Sequence, residues 1–420
     1  MRRRIAIVGG VMLSMTLAAC SATPTADSAK RGTTRPTSTT ANHPSTTTAP
    51  ADPTSAAPLL PLGVQGAVSA IPWARVGSGW LLALWGPNAG SGAGPLPAGD
   101  VPRDQETTSL FLVDPLGGRY LVASLPPPAP STLAGWSGDG RRALVTSTDG
   151  SKTTVTEIDL TSGRTLNQFG QSGALDVVGY TRPLGLAVLA TSSTPTAPTA
   201  TTLQRFAMNG SLQQAYPTDF SQIGTFDGSV VPSPDGTQLV MGAAKGLALV
   251  GNDGAVVSQL PVAGATSCTV TRWWATGVAL ASCLTTGSSS QLFAVPISGA
   301  AVTTLTAPPV APDLGDLDAW TVGNNVFLQS AGACGSLFLG ELQPNGTSGS
   351  VTVPGVDSGS SVVVVGTDGV RLALWATVAC GSGISAMWFN PGQNSTTVVL
   401  GPPVNGGGVI AALTYPGPSN

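Results

Sequence analysis

The chain has 420 residues, 42 % of them hydrophobic and only 9 % charged, with 54 glycines, 35 prolines and a formal net charge of -3. The stretch from about Pro58 to Asn420 has no basic cluster, which argues against nucleic acid as a partner. Charged helix formers are scarce while Val, Thr and Gly abound, so an all-β fold is expected and a helical bundle is not.

The N-terminus reads as an address. Arg2, Arg3 and Arg4 form a positive start, and an apolar stretch from Ile5 to about Leu17 follows, too short to span a bilayer. It ends in "LAAC", Leu17 to Cys20. Small residues before a Cys at the end of such a stretch resemble the lipobox of bacterial lipoproteins. The resemblance implies a signal peptide over residues 1–19 and a thioether-linked diacylglycerol on Cys20, which becomes the first mature residue. Two acyl chains make a stable anchor, so the expected location is the cell membrane, with the protein facing outside the cytoplasm. Residues 21–57 are mostly Thr, Ser, Pro and Ala, with no Val, Leu, Ile, Phe, Trp or Tyr. Residues 20–57 are therefore expected to be a disordered tether reaching roughly 30 Å on average. The only histidine, His43, lies in it.

The stretch from about Pro58 to Asn420 carries a repeat marked by its hairpin turns. "DPLGG" (114–118), "LTSG" (160–163), "AMNG" (207–210), "GNDG" (251–254), "PISG" (296–299), "QPNG" (343–346) and "NPGQ" (390–393) end or turn on Gly118, Gly163, Gly210, Gly254, Gly299, Gly346 and Gly392. The steps between them are 45, 47, 44, 45, 47 and 46 residues. The unit from Ser131 to Phe169 reads as four short strands, "TLAGWS", "RRALVTS", "TTVTEIDL" and "RTLNQF", joined by Asp-Gly and Ser-Gly turns that suit tight hairpins. Four antiparallel strands per 45 residues describe a β-propeller blade, and seven copies predict a seven-bladed β-propeller over 58–420. The four strands of each blade are labelled a to d. The segments "WSGDGRRALV" (136–145) and "PSPDGTQLVMG" (232–242) resemble the Ser-Pro-Asp-Gly repeat of TolB-like propellers. That resemblance speaks for fold and suggests protein–protein contact through a propeller face. The tail "GGVIAALTYPG" (407–417) is expected to close the ring by pairing near residues 67–77 or with "WLLALW" (80–85), which would protect both edges.

Enzyme signatures mostly fail. No histidine falls in the propeller, which removes Ser-His-Asp and Cys-His catalysis and His-based metal sites. The b–c and d–a loops share the face propellers usually bind with, and two b–c loops are expected to be long, Pro87 to Thr108 and Ser192 to Thr201. The first holds Arg103 and Asp104 in its charged group, while Asp313, Asp316 and Asp318 are expected in a d–a connection. These aspartates offer Ca²⁺ a minor option or an acid pair for glycoside chemistry, but read mainly as a polar turn; no cofactor or metal is expected. Of nine tryptophans, the adjacent Trp273 and Trp274 must face opposite sides of one strand, which makes one a candidate ligand contact. Four cysteines remain after Cys20. Cys268 and Cys283 sit at meeting ends of neighbouring strands, leaving Cys334 and Cys380, each 12 residues before its turn glycine, to bridge adjacent blades. The expectation is a monomeric, non-catalytic binding scaffold for an envelope protein or glycan; the alternative is a carboxylate-dependent hydrolase or lyase acting on an envelope glycan or ester.

Overall fold

The computed structural model describes residues 57–89, 102, 105–127, 131–149, 152–173, 175–181, 187–194, 197–285, 289–378 and 383–416. Among these, strands dominate and the helical segments are single 3₁₀ turns, Val68–Ala70, Trp73–Arg75 and Ala333–Gly335. None is long and apolar enough to cross a membrane.

Seven four-stranded antiparallel blades follow the sequence repeat. Blade two is Ser131–Trp136, Arg142–Asp149, Lys152–Asp159 and Thr165–Ser172. Blade three begins at Leu175–Tyr180, blade four at Gly224–Pro232, blade five at Ser267–Ala275, blade six at Gly315–Val322 and blade seven at Val363–Thr367. Blades five and six touch through a parallel pairing of Ser290 with Gly315. Gly315 adopts φ +108°, and a Cβ there would lie 2.0 Å from the Ser290 carbonyl oxygen.

The ring closes with the C-terminus. Gly408–Thr414 runs antiparallel to Leu81–Gly86 and becomes strand a of blade one, followed by Thr108–Val113 and Arg119–Leu125. Of the two partners expected for the tail, it takes the "WLLALW" strand. Gln65–Ala67 adds a fifth, parallel strand outside blade one. The chain enters at that blade's c–d turn, where Leu60 N–H donates to Asp114 Oδ2 at 3.0 Å and Gly63 N–H to the Gly117 carbonyl at 3.0 Å.

The core is the set of interfaces between blades. Seven apolar clusters among the described residues correspond to seven interfaces. Leu112 and Ile158 belong to the cluster joining blades one and two. Phe169 and Phe206 join two and three, and Leu203 and Met241 join three and four. Leu260 and Val270 join four and five, Leu292 and Leu328 five and six, and Phe327 and Leu372 six and seven. Phe111 and Trp388 complete the circle. Alternation along each strand supplies apolar side chains to both neighbours, because successive residues point to opposite faces.

The turn motifs have a specific chemistry. In "PSPDGT", the Ser233 hydroxyl donates to Asp235 Oδ1 at 2.6 Å, Thr237 N–H donates to the same oxygen, and Gln238 N–H donates to Ser233 Oγ. The Ser233 and Thr237 donors hold the Asp235 carboxyl below its usual range, the Ser233 hydroxyl most strongly. Ser137 and Asp139 repeat the network in blade two, where Arg142 N–H donates to Ser137 Oγ at 2.9 Å. One loop departs from expectation: the Ser192–Thr201 region is largely hairpin, with Ala187–Thr194 paired to Ala197–Ala207 as far as Thr194 opposite Ala197. A run of threonines fits a pleated strand better than an open loop.

Candidate functional site

Strand a of every blade lines the central channel, and the last residues of these strands converge on a cavity of about 290 Å³. It lies at the end of the channel where the a–b hairpins turn. Trp136, Tyr180, Trp320 and Tyr415 supply aromatic walls, Thr414 a hydroxyl and Arg272 the one charged group among the described residues of the lining. Trp136 is pinned by its indole N–H, which donates to the Gly140 carbonyl at 3.1 Å, and the Tyr415 ring meets it edge-on at 5.3 Å. The Tyr180 hydroxyl donates to Glu157 Oε1 at 3.2 Å, inside the wall.

Arg272 is held on two sides. Its Nε donates to Asp318 Oδ1 at 2.8 Å, and Nη2 pairs with Asp318 Oδ2. Its guanidinium lies 4.2 Å over the Trp320 ring, a cation–π stack between neighbouring blades. Nη1 makes no hydrogen bond to a described residue. Trp320 is 4 % exposed, and its indole N–H is buried without a hydrogen-bond partner.

The three aspartates expected in one d–a turn take separate places. Asp313 stays in the connection, while Gly315–Val322 makes strand a of blade six begin earlier than expected. A bulge between Asp316 and Asp318 lets the two take different partners. Asp318 reaches Arg272, and Asp316, 4 % exposed, accepts from Ser330 Oγ at 2.6 Å. Burial pushes the Asp316 carboxyl above its usual range, and nearby Asp313 pushes the same way. Asp227 is likewise filled by its neighbours, accepting from Ser229 N–H and Oγ and from Thr269 Oγ1. Among the described residues no Asp or Glu belongs to the cavity lining. Among the described residues no group of three or more His, Cys, Asp or Glu is arranged to hold a metal ion.

Trp273 and Trp274 do face opposite sides, and both are half-buried in packing. The Trp273 indole N–H donates to the Pro232 carbonyl at 2.8 Å, and the ring packs between blades four and five. Trp274 packs between blades five and six. Cys268 and Cys283 face each other in register and are bonded, with Cα atoms 4.0 Å apart. Cys20, Arg103, Asp104, Cys380 and the side chain of Cys334 lie outside the described residues.

Sequence reasoning missed Arg272, Tyr180 and Tyr415. A signal was present: each lies near the end of a strand a, the register that "WSGDG" and "PSPDG" mark in blades two and four. Aligning the blades on those hairpins places the ends of the strands around one mouth.

No family model matches this sequence, and no curated protein matches it. Among solved structures the chain is similar to the β-propeller domain of Cps50 (Swd1) from Myceliophteria thermophila, with 14 % identity over 70 % of this chain and 91 % of that one, TM-score 0.46. It is similar to TolB from Acinetobacter baumannii, with 16 % identity over 67 % and 69 %, TM-score 0.40. A puromycin-hydrolyzing peptidase from Mycobacterium tuberculosis shares 15 % identity over 82 % of this chain and 57 % of its own length, TM-score 0.46. These are loose likenesses of fold.

Proposed function

We propose that this chain is a non-catalytic interaction propeller that binds a protein partner at the a–b mouth of its channel and is held at the cell membrane by a lipid on Cys20. The observation that carries the reading is the mouth, where seven strands bring aromatic walls and one braced arginine to a cavity with no carboxylate among its described lining residues. Glycoside chemistry needs two acids facing a substrate. Asp227, Asp316 and Asp318 instead spend their oxygens on Ser, Thr and Arg neighbours. At its rim the partly exposed Tyr415 and Arg272 are of the residue types that dominate binding energy in protein interfaces. The domain is entered at the c–d turn of blade one, so a tether from Cys20 would join the propeller at the same end as the mouth.

In-cell cross-linking followed by mass spectrometry tests this, comparing wild type with Cys20→Ala and Tyr415→Ala forms. The expected result is one reproducible envelope protein captured by wild type and lost from Tyr415→Ala, with Cys20→Ala released from the membrane fraction. Failure of wild type to capture any reproducible partner contradicts the binding reading, and Cys20→Ala remaining in the membrane contradicts the anchor.

A further inference from the structure

The described residues include eleven large apolar side chains that are exposed, and they are unevenly placed. Leu62, Val64 and Leu116 are 49 %, 42 % and 57 % exposed at the c–d turn of blade one, where Leu62 lies over Gly117. Leu166, Leu212, Val256 and Val257 hold one station in blades two, three and four, two or three residues past the turn glycines Gly163, Gly210 and Gly254. Val370, 64 % exposed, lies in the a–b turn of blade seven. All of these share the end of the propeller where the a–b and c–d strands turn. The other three, Leu284, Val310 and Leu314, lie at the opposite end, in blade five and its link to blade six. Single exposed apolar residues are ordinary; here they follow one rim across five neighbouring blades. The charges sort the same way. Arg75, Arg119, Arg141, Arg142, Arg164 and Arg371 lie at or beside turns of the rim's end, whereas the described lysines, Lys152 and Lys245, lie in b–c turns at the other. Arg75, Arg119, Arg141 and Arg164 form no salt bridge within the described residues. The exposed aspartates of this end, such as Asp139 and Asp235, are occupied by the donors of their own turns. At the other end Asp149, Asp176, Asp219 and Asp313 are exposed.

We propose that this rim, running through blades seven, one, two, three and four, rests on a lipid bilayer, with its leucines and valines in the headgroup boundary and its arginines on anionic headgroups. The proposal rests on the reading of Cys20 as a lipid anchor. Residues 21–57 link Cys20 to the segment that enters at the c–d turn of blade one, where Leu60 N–H donates to Asp114, so the tether meets the propeller on the rim itself. A tether spanning roughly 30 Å on average holds the rim close to the bilayer, and that proximity raises the effective concentration of a weak contact. The form of the surface favours lipid over protein. Its apolar side chains are spread along a curved rim and separated by polar residues, whereas a protein partner needs a contiguous patch or groove. A fluid surface conforms to such a set, and apolar burial then adds to the attraction between arginine and anionic lipid. Arginine also covers apolar surface with its stem while its charged head stays among the phosphates. The acidic exposure of the opposite end disfavours the inverted orientation. The mouth opens at the rim's end, so a partner bound there would itself belong to that membrane.

Depth-dependent fluorescence quenching tests the proposal. The full chain, carrying dansylalanine at position 116 or at position 314, is reconstituted into vesicles of one part phosphatidylglycerol to three parts phosphatidylcholine. Part of the phosphatidylcholine bears a nitroxide high on its acyl chain. Quenching by about twofold or more is expected at position 116 and none at position 314. Leu62→Ser/Leu166→Ser, introduced beside the reporter at 116, should at least halve the quenching, and raising salt to about 0.5 M should weaken it by screening the arginines. Circular dichroism melts confirm that the variant folds. An unquenched position 116, equal quenching at the two positions, or quenching indifferent to the double variant overturns the proposal. A photoreactive residue at position 116 that is unquenched in vesicles but gives a protein adduct in cells overturns it in favour of a protein partner. Mass spectrometry of the purified chain reads the Cys20 lipid separately. Lipid on Cys20 without quenching rejects the rim contact and leaves the anchor in place. Quenching at position 116 alone without that lipid rejects the anchor and supports the rim contact.

Discussion

Ring closure by the C-terminal strand makes Val409 a sensitive position. It is 2 % exposed and packs with Leu81, Phe111, Trp388 and Leu400 where blades one and seven meet. Its carbonyl accepts the Trp375 indole N–H at 3.2 Å. Val409→Asp forfeits about 2 kcal/mol of apolar burial and adds an unpartnered carboxylate that costs a few kcal/mol more, even if it takes up a proton. A total of about 5 kcal/mol is a large share of the stability of an ordinary domain. Over a propeller of this length it corresponds to a fall in Tm of roughly 5–10 °C. The control is Val370→Asp, the same exchange at a residue 64 % exposed in an a–b turn, expected to shift stability by no more than about 0.5 kcal/mol. Thermal melts followed by circular dichroism compare the two. Equal shifts, or an unchanged Tm for Val409→Asp, would refute closure by this strand. Truncation before Val409 should have a still larger effect and leave the domain open to limited proteolysis.

Three further outcomes follow from the packing and electrostatics. The Cys268–Cys283 bond spans 15 residues, and a loop of that length implies about 3 kcal/mol of stabilisation; the Cys268→Ala/Cys283→Ala double variant should unfold at lower denaturant, and an unchanged midpoint would count against the staple. Gly315→Ala at φ +108°, with its Cβ driven against Ser290, should cost at least about 3 kcal/mol, and a melt like wild type would show that blades five and six do not meet as described. Asp316 has a raised carboxyl pKa in the folded state because of burial. Between its unfolded and folded values the native state binds more protons than the unfolded chain, so its contribution to stability falls as pH rises through the folded value. Asp316→Asn should therefore melt above wild type at pH 7, with the gap narrowing toward pH 4; a gap that widens on acidification refutes the reasoning.

The fold was legible because its turns are chemically constrained. Gly163, Gly210, Gly254, Gly299 and Gly346 all take positive φ at their c–d turns, a conformation that restricts residue choice and so leaves a countable period. In blade seven the positive φ moves to Asn394, two residues beyond Gly392, without changing the spacing of the repeat. The mouth was less legible. It gathers one or two residues from each blade, so Arg272 and Trp320, 48 positions apart in sequence, become stacked partners only once blades five and six are adjacent. Charge density drew attention to "DLGDLD", but the strand bulge at Asp316–Asp318 divides that cluster between two partners. Tryptophan pairs were equally ambiguous, since alternation correctly puts Trp273 and Trp274 on opposite faces while both faces are interfaces between blades.

On the proposed reading the a–b mouth, and not the opposite end of the channel, meets the partner. A photoreactive phenylalanine analogue placed at Thr414, in the mouth, and separately at Leu314, 42 % exposed in the d–a connection between blades five and six, tests it in living cells. A discrete adduct is expected from position 414 that Arg272→Lys diminishes, and none from position 314. An adduct from position 314 alone would place the binding face at the other end and contradict it.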